Sequence, residues 1–115
     1  MEQELVLEWL TLPDAAERLG TDVGKVRHLI RDRRIIAFRR GEPPRLEVPA
    51  AFFHDGELLK GLPGLLTLLA DAGYGDDEAL RWLFTVDDSL PGSPIQALTE
   101  NRGSEAKRRA QALGF

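Results

Sequence analysis

A chain of 115 residues, 43% hydrophobic and 30% charged, suits one compact domain or two small ones sharing a core, and needs no covalent staples to fold. The absence of cysteine excludes disulfides and thiolate zinc sites, and with no apolar run of bilayer length and no basic-then-apolar leader the expected location is cytoplasmic. The net charge of −4 is uneven: residues 1–10 carry three Glu and no cation, residues 11–54 nine Lys/Arg against six Asp/Glu, and residues 55–115 six against ten, so positive charge gathers in one segment.

The first ten residues, MEQELVLEWL, read as an arm that forms a short strand or helical turn packed on the rest of the chain. Trp9 fits a core or staple position better than a base-stacking one, since its acidic neighbours would repel phosphate. From Thr11 the signals are local and strong. Thr11 suits an N-cap, Pro13 suits the first turn because it has no amide to lose, Leu12, Ala16 and Leu19 share one face, and Gly20 supplies a left-handed stop. Thr21 or Asp22 then caps a second helix, in which Val23, Val26, Leu29 and Ile30 form the buried stripe. At 100° per residue the opposite face holds Gly24, Lys25, His28, Arg31 and Asp32, with Arg27 on its flank. Gly24 weakens the helix by roughly 1 kcal/mol against alanine, but removes a side chain where a backbone could approach a groove closely.

After Arg34 the period changes, and residues 35–48 read as two strands around the Gly41, Glu42, Pro43, Pro44 tip, with Leu46 and Val48 alternating against Arg45 and Glu47. Arg39, Arg40 and Arg45 would crowd that tip. Two helices with a glycine turn followed by a basic hairpin is the order found where a helix enters a DNA groove and a wing adds phosphate or minor-groove contacts.

Pro49 to Phe53 form a helical or extended connector, and His54, Asp55 and Gly56 a turn. The leucine-rich tract from Glu57 contains a helix from about Pro63 to Ala72, either central to a helical bundle or in a dimer interface; central burial is the commoner outcome. Asp76, Asp77 and Glu78 start another helix, where their charges complement the helix dipole rather than bind metal, and Leu80, Leu83 and Phe84 give it an apolar side. The Pro91, Gly92, Ser93, Pro94 run starts a short helix through Leu98. Ser104 is the expected cap of a last helix that buries Ala106, Ala110 and Leu113 and ends at Gly114.

The run LPDAAERLGTDVGKVRHLIRDRRIIAFRR resembles the excisionase-like and MerR-like winged helix-turn-helix proteins. With VPAAFF, LPGLLTLLADAGY, ALRWLFTVDDSLPGSPIQAL and KRRAQALGF, the resemblance extends to a group of small actinobacterial DNA-binding proteins with a helical C-terminal part, and it covers nearly all of the chain after Thr11. It implies DNA binding by helix Asp22 to Arg33 and its wing, and no enzymatic activity. The tract RWLFTVDDSLPGSPIQALTENRGSEAKRRA also resembles the helical C-terminal domain of some bacterial antitoxins, which implies as an alternative a protein-interaction module with DNA binding accessory or absent.

The expected fold is thus mainly α: an N-terminal arm (1–10), a winged helix-turn-helix domain (11–54) and a small C-terminal helical bundle (55–115) for packing or homodimerisation. The expected partner is double-stranded DNA, bound by a transcriptional regulator or nucleoid-associated factor. The candidate contacts are Thr21, Gly24, Lys25, Arg27, His28 and Arg31 on the helix side and Arg39, Arg40 and Arg45 on the wing. Arg31 is the choice for a bidentate guanine contact, while Lys25 and the wing arginines hold phosphates. No catalytic, metal or cofactor set is expected, and no membrane or small-molecule partner. The two histidines, His28 and His54, fall in different elements, and Gly61, Leu62, Pro63, Gly64 lacks the spacing of a phosphate-binding loop.

Overall fold

The chemistry of the residues around Thr11 fixes where the first helix begins and ends. A computed structural model describes residues 5–90 and 92–113, so Glu2 and Glu4 of the acidic start, Pro91 of the helix-start run and the expected stop Gly114 lie outside the described residues. The Thr11 hydroxyl accepts the Asp14 amide at 3.3 Å, opening α1 (Leu12–Leu19), and Gly20 closes it at φ 66°. Asp22, not Thr21, caps α2 (Val23–Arg31), its carboxylate accepting the Lys25 amide at 2.9 Å. Val26 and Leu29 are buried, with Val23 and Ile30 packed against the same core.

The second helix is shorter than the expected Asp22 to Arg33. Asp32 is its C-cap and Arg33 turns left-handed at φ 54°. The chain must turn there because Ile35 and Ile36, consecutive in sequence, are both buried. Two adjacent buried residues do not fit the alternation of a half-exposed strand, so the first wing strand starts only at Phe38.

The wing sheet has three strands, β1 (Trp9–Thr11), β2 (Phe38–Arg40) and β3 (Arg45–Pro49), in the antiparallel order β1-β3-β2. Leu10 pairs with Val48 and Arg40 with Arg45, so the end of the N-terminal arm is the third strand of the wing. A one-turn 3-10 helix, Ala50–Phe52, leads into a small hairpin of β4 (Phe53–His54) and β5 (Glu57–Leu58). Its two turn residues, Asp55 and Gly56, are both left-handed, which suits an Asp-Gly connection between twisted strands.

Four helices complete the chain: α3 (Leu62–Asp71), α4 (Asp76–Phe84), α5 (Pro94–Thr99) and α6 (Gly103–Ala112). Leu62, Leu65, Leu66 and Leu69 of α3 are almost fully buried within this one chain. The Glu78 carboxylate accepts the Gly75 amide at the start of α4, and the Ser93 hydroxyl accepts the Gln96 amide at the start of α5. Ser104 does not cap α6. Asn101 ends α5 left-handed at φ 63°, and the link is so short that α6 begins at Gly103 with Ser104 already inside its first turn. In the loop before α5, hydrogen bonds from the Ser89 hydroxyl and amide hold the Asp87 carboxyl below its ordinary value, and Arg109 at 3.7 Å adds to this. Among the described residues, no helix is long and apolar enough to cross a membrane.

The architecture is mainly helical, a winged helix-turn-helix followed by a small helical bundle, as the sequence implies. One cluster of buried side chains runs from Val6 to Ala110 and joins both halves. Phe52, fully buried, meets Phe84 of α4 with ring centroids 6.2 Å apart. Phe52→Ala is expected to lower stability by about 3–5 kcal/mol. Urea unfolding should remain one transition, read alike at Trp9 in β1 and Trp82 in α4; two separate transitions would show that the halves have independent cores.

Candidate nucleic-acid interface

The exposed side of α2 is continuous. Gly24, Lys25, Arg27, His28 and Arg31 are all exposed, together with Thr21 in the preceding turn. The Arg31 guanidinium lies 2.7 Å from Nδ1 of His28, one turn back. Guanidinium has only donors, so in this contact the guanidinium donates and the ring nitrogen accepts. His28 therefore orients Arg31 along the helix face. Gly24 has a local role as well: a Cβ there would sit 3.2 Å from the Asp22 carboxylate, so the bare glycine leaves room for the carboxylate that caps α2.

The two flanks of α2 differ. On the wing side a groove of about 520 Å³ runs between the start of α1, α2 and the sheet, walled by Leu12, Pro13, Val23 and Leu46 and edged by Arg27, Arg39 and Arg45. This brings one helix cation and two wing cations to a single apolar-walled channel. On the other side a groove of about 480 Å³ lies between α2 and the β4-β5 hairpin, where Lys25, His28 and Arg34 face Gly56, Glu57 and Leu58. Of the expected contacts, Arg27, Arg39 and Arg45 thus edge the wing-side groove and Thr21, Lys25 and His28 the other, which Asp32 and Glu57 make mixed in charge.

Arg40 stands apart from the other expected wing contacts. Its guanidinium bonds the Glu47 carboxylate at 3.0 Å and lies 4.3 Å from the Trp9 ring centroid, while Trp9 packs edge-on against Phe38 at 5.8 Å. This stack ties all three strands together, and it gives Trp9 the staple role expected of it. Arg40 is consequently held by contacts within the fold, unlike Arg39 and Arg45. The signal is not local, because Trp9 is brought beside Arg40 only by strand pairing through β3.

Lys25, Arg27, Arg31, Arg34, Arg39 and Arg45 form no ion pair with a carboxylate among the described residues. Arg34 is not among the contacts expected from spacing; its only signal in the sequence is its place in the RDRR run. Its neighbour Arg33 is instead bonded to Asp76 of α4 at 2.7 Å. Among the described residues, no group of three or more His, Asp or Glu side chains is placed to hold a metal ion.

Comparison with known proteins covers almost the full length. The model described as "DNA-binding protein Rv2175c, wHTH domain" matches residues 4–53, and that described as "Rv2175c C-terminal domain of unknown function" matches residues 59–114. The DNA-binding protein Rv2175c of Mycobacterium tuberculosis (strain ATCC 25618 / H37Rv) is 42% identical over 117 aligned positions, spanning 90% of this chain and 79% of that protein. The NMR structure of Rv2175c superposes with a TM-score of 0.82 at 39% identity, covering 94% of this chain and 82% of that one.

The two kinds of wing arginine separate by stability. Arg40→Ala, which removes both the ring contact and the Glu47 pair, should lower stability by about 1–2 kcal/mol. Arg39→Ala and Arg45→Ala should stay within about 0.5 kcal/mol of the parent. Denaturant titrations of the three variants check this, and equal losses at all three positions would remove the distinction.

Proposed function

The chain belongs to the family of the DNA-binding protein Rv2175c, and on that footing we propose that it binds double-stranded DNA as a transcriptional regulator or nucleoid-associated factor, with α2 in the major groove and the β2-β3 wing on the backbone or minor groove. A cytoplasmic location, with the nucleoid, goes with this reading. The observation that carries it is the run of exposed cations without carboxylate partners among the described residues, extending across α2 and onto the wing beside one groove.

The roles divide by position. Arg27, Arg39 and Arg45, at the lips of the wing-side groove, are placed to hold phosphates and set the register of the duplex. Arg31, oriented by His28 at the centre of the exposed face, is the base-reading side chain, with the fork geometry that matches the guanine O6 and N7 edge. Lys25, Arg34 and the Thr21 hydroxyl contribute backbone contacts on the other flank. Gly24 lies between the two flanks, where the absence of a side chain lets the helix backbone approach the groove.

A single module of this size has a small footprint, so a two-fold site would engage two copies joined through the C-terminal helices. The leucine stripe of α3 is already used within its own core, and such a contact would form on the outward faces of those helices.

Fluorescence anisotropy of a random duplex and of duplexes selected from a randomised library, across a salt series, tests the reading. Affinity should fall with salt, and Arg39→Ala or Arg45→Ala should each reduce the log–log salt slope by about one while weakening both duplexes alike. Arg31→Ala should remove roughly 1–3 kcal/mol from the selected site alone; equal loss on random DNA would reassign Arg31 to phosphate. Gly24→Ala should leave thermal stability nearly unchanged, as the gain in helix propensity offsets the push on the Asp22 cap, yet weaken DNA binding. No binding at low salt by the folded chain would overturn the reading.

A further inference from the structure

Arg33 occupies a position that usually falls to glycine. The Arg33 amide bonds the Ile30 carbonyl at 3.0 Å and the Arg34 amide bonds the Leu29 carbonyl at 2.9 Å, the paired bonds that close a helix around a left-handed residue. Gly20 ends α1 in the same conformation without penalty, whereas Arg33 carries a side chain into it at φ 54°. Such a conformation persists only where the surroundings hold it. From inside, Ile35 and Ile36 are buried immediately downstream. From outside, the Arg33 guanidinium bonds Asp76 at 2.7 Å, reaching across 43 positions of sequence to the first turn of α4.

Both side chains of this pair are close to half exposed, so it contributes little to global stability. Its distinguishing property is placement. Among the described residues it is the ion pair that joins the turn closing α2 to the C-terminal bundle. We propose that Asp76 is a positioning residue for DNA recognition: through Arg33 it fixes the C-terminal end of α2, and with it the angle at which His28 and Arg31 meet the groove. This rests on the DNA-binding reading of α2 given above. It assigns the C-terminal bundle a part in recognition through a residue that does not itself touch DNA, since a carboxylate would be repelled by phosphate.

The competing role for the pair has the opposite sign. If Arg33 were simply a phosphate ligand withheld by Asp76, then Asp76→Asn would release it and raise affinity. Positioning predicts that Asp76→Asn lowers affinity for a library-selected duplex by about two- to fivefold, the range an exposed pair can transmit, while a random duplex of the same length is bound no more weakly. Arg33→Gly should lower affinity for the selected duplex by a similar factor while leaving the melting temperature equal or higher, because glycine relaxes the left-handed position. The double variant should bind like either single one, and amide shifts in Asp76→Asn should move at residues 28–34. Unchanged or raised affinity of Asp76→Asn for the selected duplex, with the parent binding normally, overturns the positioning role. Failure of the folded parent chain to bind either duplex overturns the DNA reading and this inference with it.

Discussion

One hydrophobic core serves both halves of this chain, and the pose of α2 depends on it. The inner side chains of the helix pair and the wing sheet continue without a break into those of α3 to α6. Phe52 sits at the seam. It follows the last wing strand by one turn of 3-10 helix and meets Phe84 of α4, so the end of β3 and the start of the bundle are packed as one unit. The N-terminal segment is drawn into the same arrangement, since the Ala50 amide bonds the Glu8 carbonyl just before β1 pairs with β3. Elements remote from α2 in sequence therefore bear on how it is presented.

Charge is organised around the same frame. Arg18 pairs with Glu8, Arg33 with Asp76, Arg40 with Glu47 and Arg109 with Asp87, and each pair joins parts of the chain that only folding brings together. Exposed pairs of this kind add little stability, so their larger effect is on distribution. They neutralise cations at the seams and leave those of α2 and the wing edge without carboxylate partners among the described residues. Residues 11–54 therefore hold more usable positive charge on one face than their small formal excess implies.

The caps were the most legible part of the sequence because their chemistry is local. Thr11 with Pro13 and Ser93 with Pro94 mark helix starts through hydroxyls that accept amides three residues on, Gly20 marks a stop through its left-handed backbone, and the 100° spacing alone places Gly24, His28 and Arg31 on one exposed face. The end of α2 was not legible: its left-handed residue is Arg33, which lacks the glycine that marks such a stop elsewhere, and its partners are the buried Ile35 and Ile36 downstream and a carboxylate far along the chain. The start of α6 failed for a similar reason, because the left-handed Asn101 and not a serine cap sets where that helix begins. Arg40 looked like its neighbours in sequence and differs from them through Trp9 and Glu47, partners supplied by strand pairing. The β4-β5 hairpin is too short for periodicity to reveal, although Asp55 and Gly56 carried the signal for its turn.

A net charge of −4 and a polyanionic partner are compatible because the two act over different distances. The molecule measures 37 × 28 × 24 Å, while the screening length at physiological ionic strength is about 8 Å. A phosphate at the wing-side groove is governed by Arg27, Arg39 and Arg45, and acidic groups lying more than a few screening lengths away contribute little. Lowering the salt strengthens the local attraction but also extends the reach of the distant carboxylates until they oppose approach. The acidic remainder therefore acts mainly against loose, sequence-independent association, where the duplex is held at a distance. It would weigh least on the proposed seated complex, in which short contacts to the basic groove and the face of α2 would dominate. On the proposed reading, discrimination between sequences would rest on the side chains at the centre of that face, and on whatever fixes the angle at which the fold presents them.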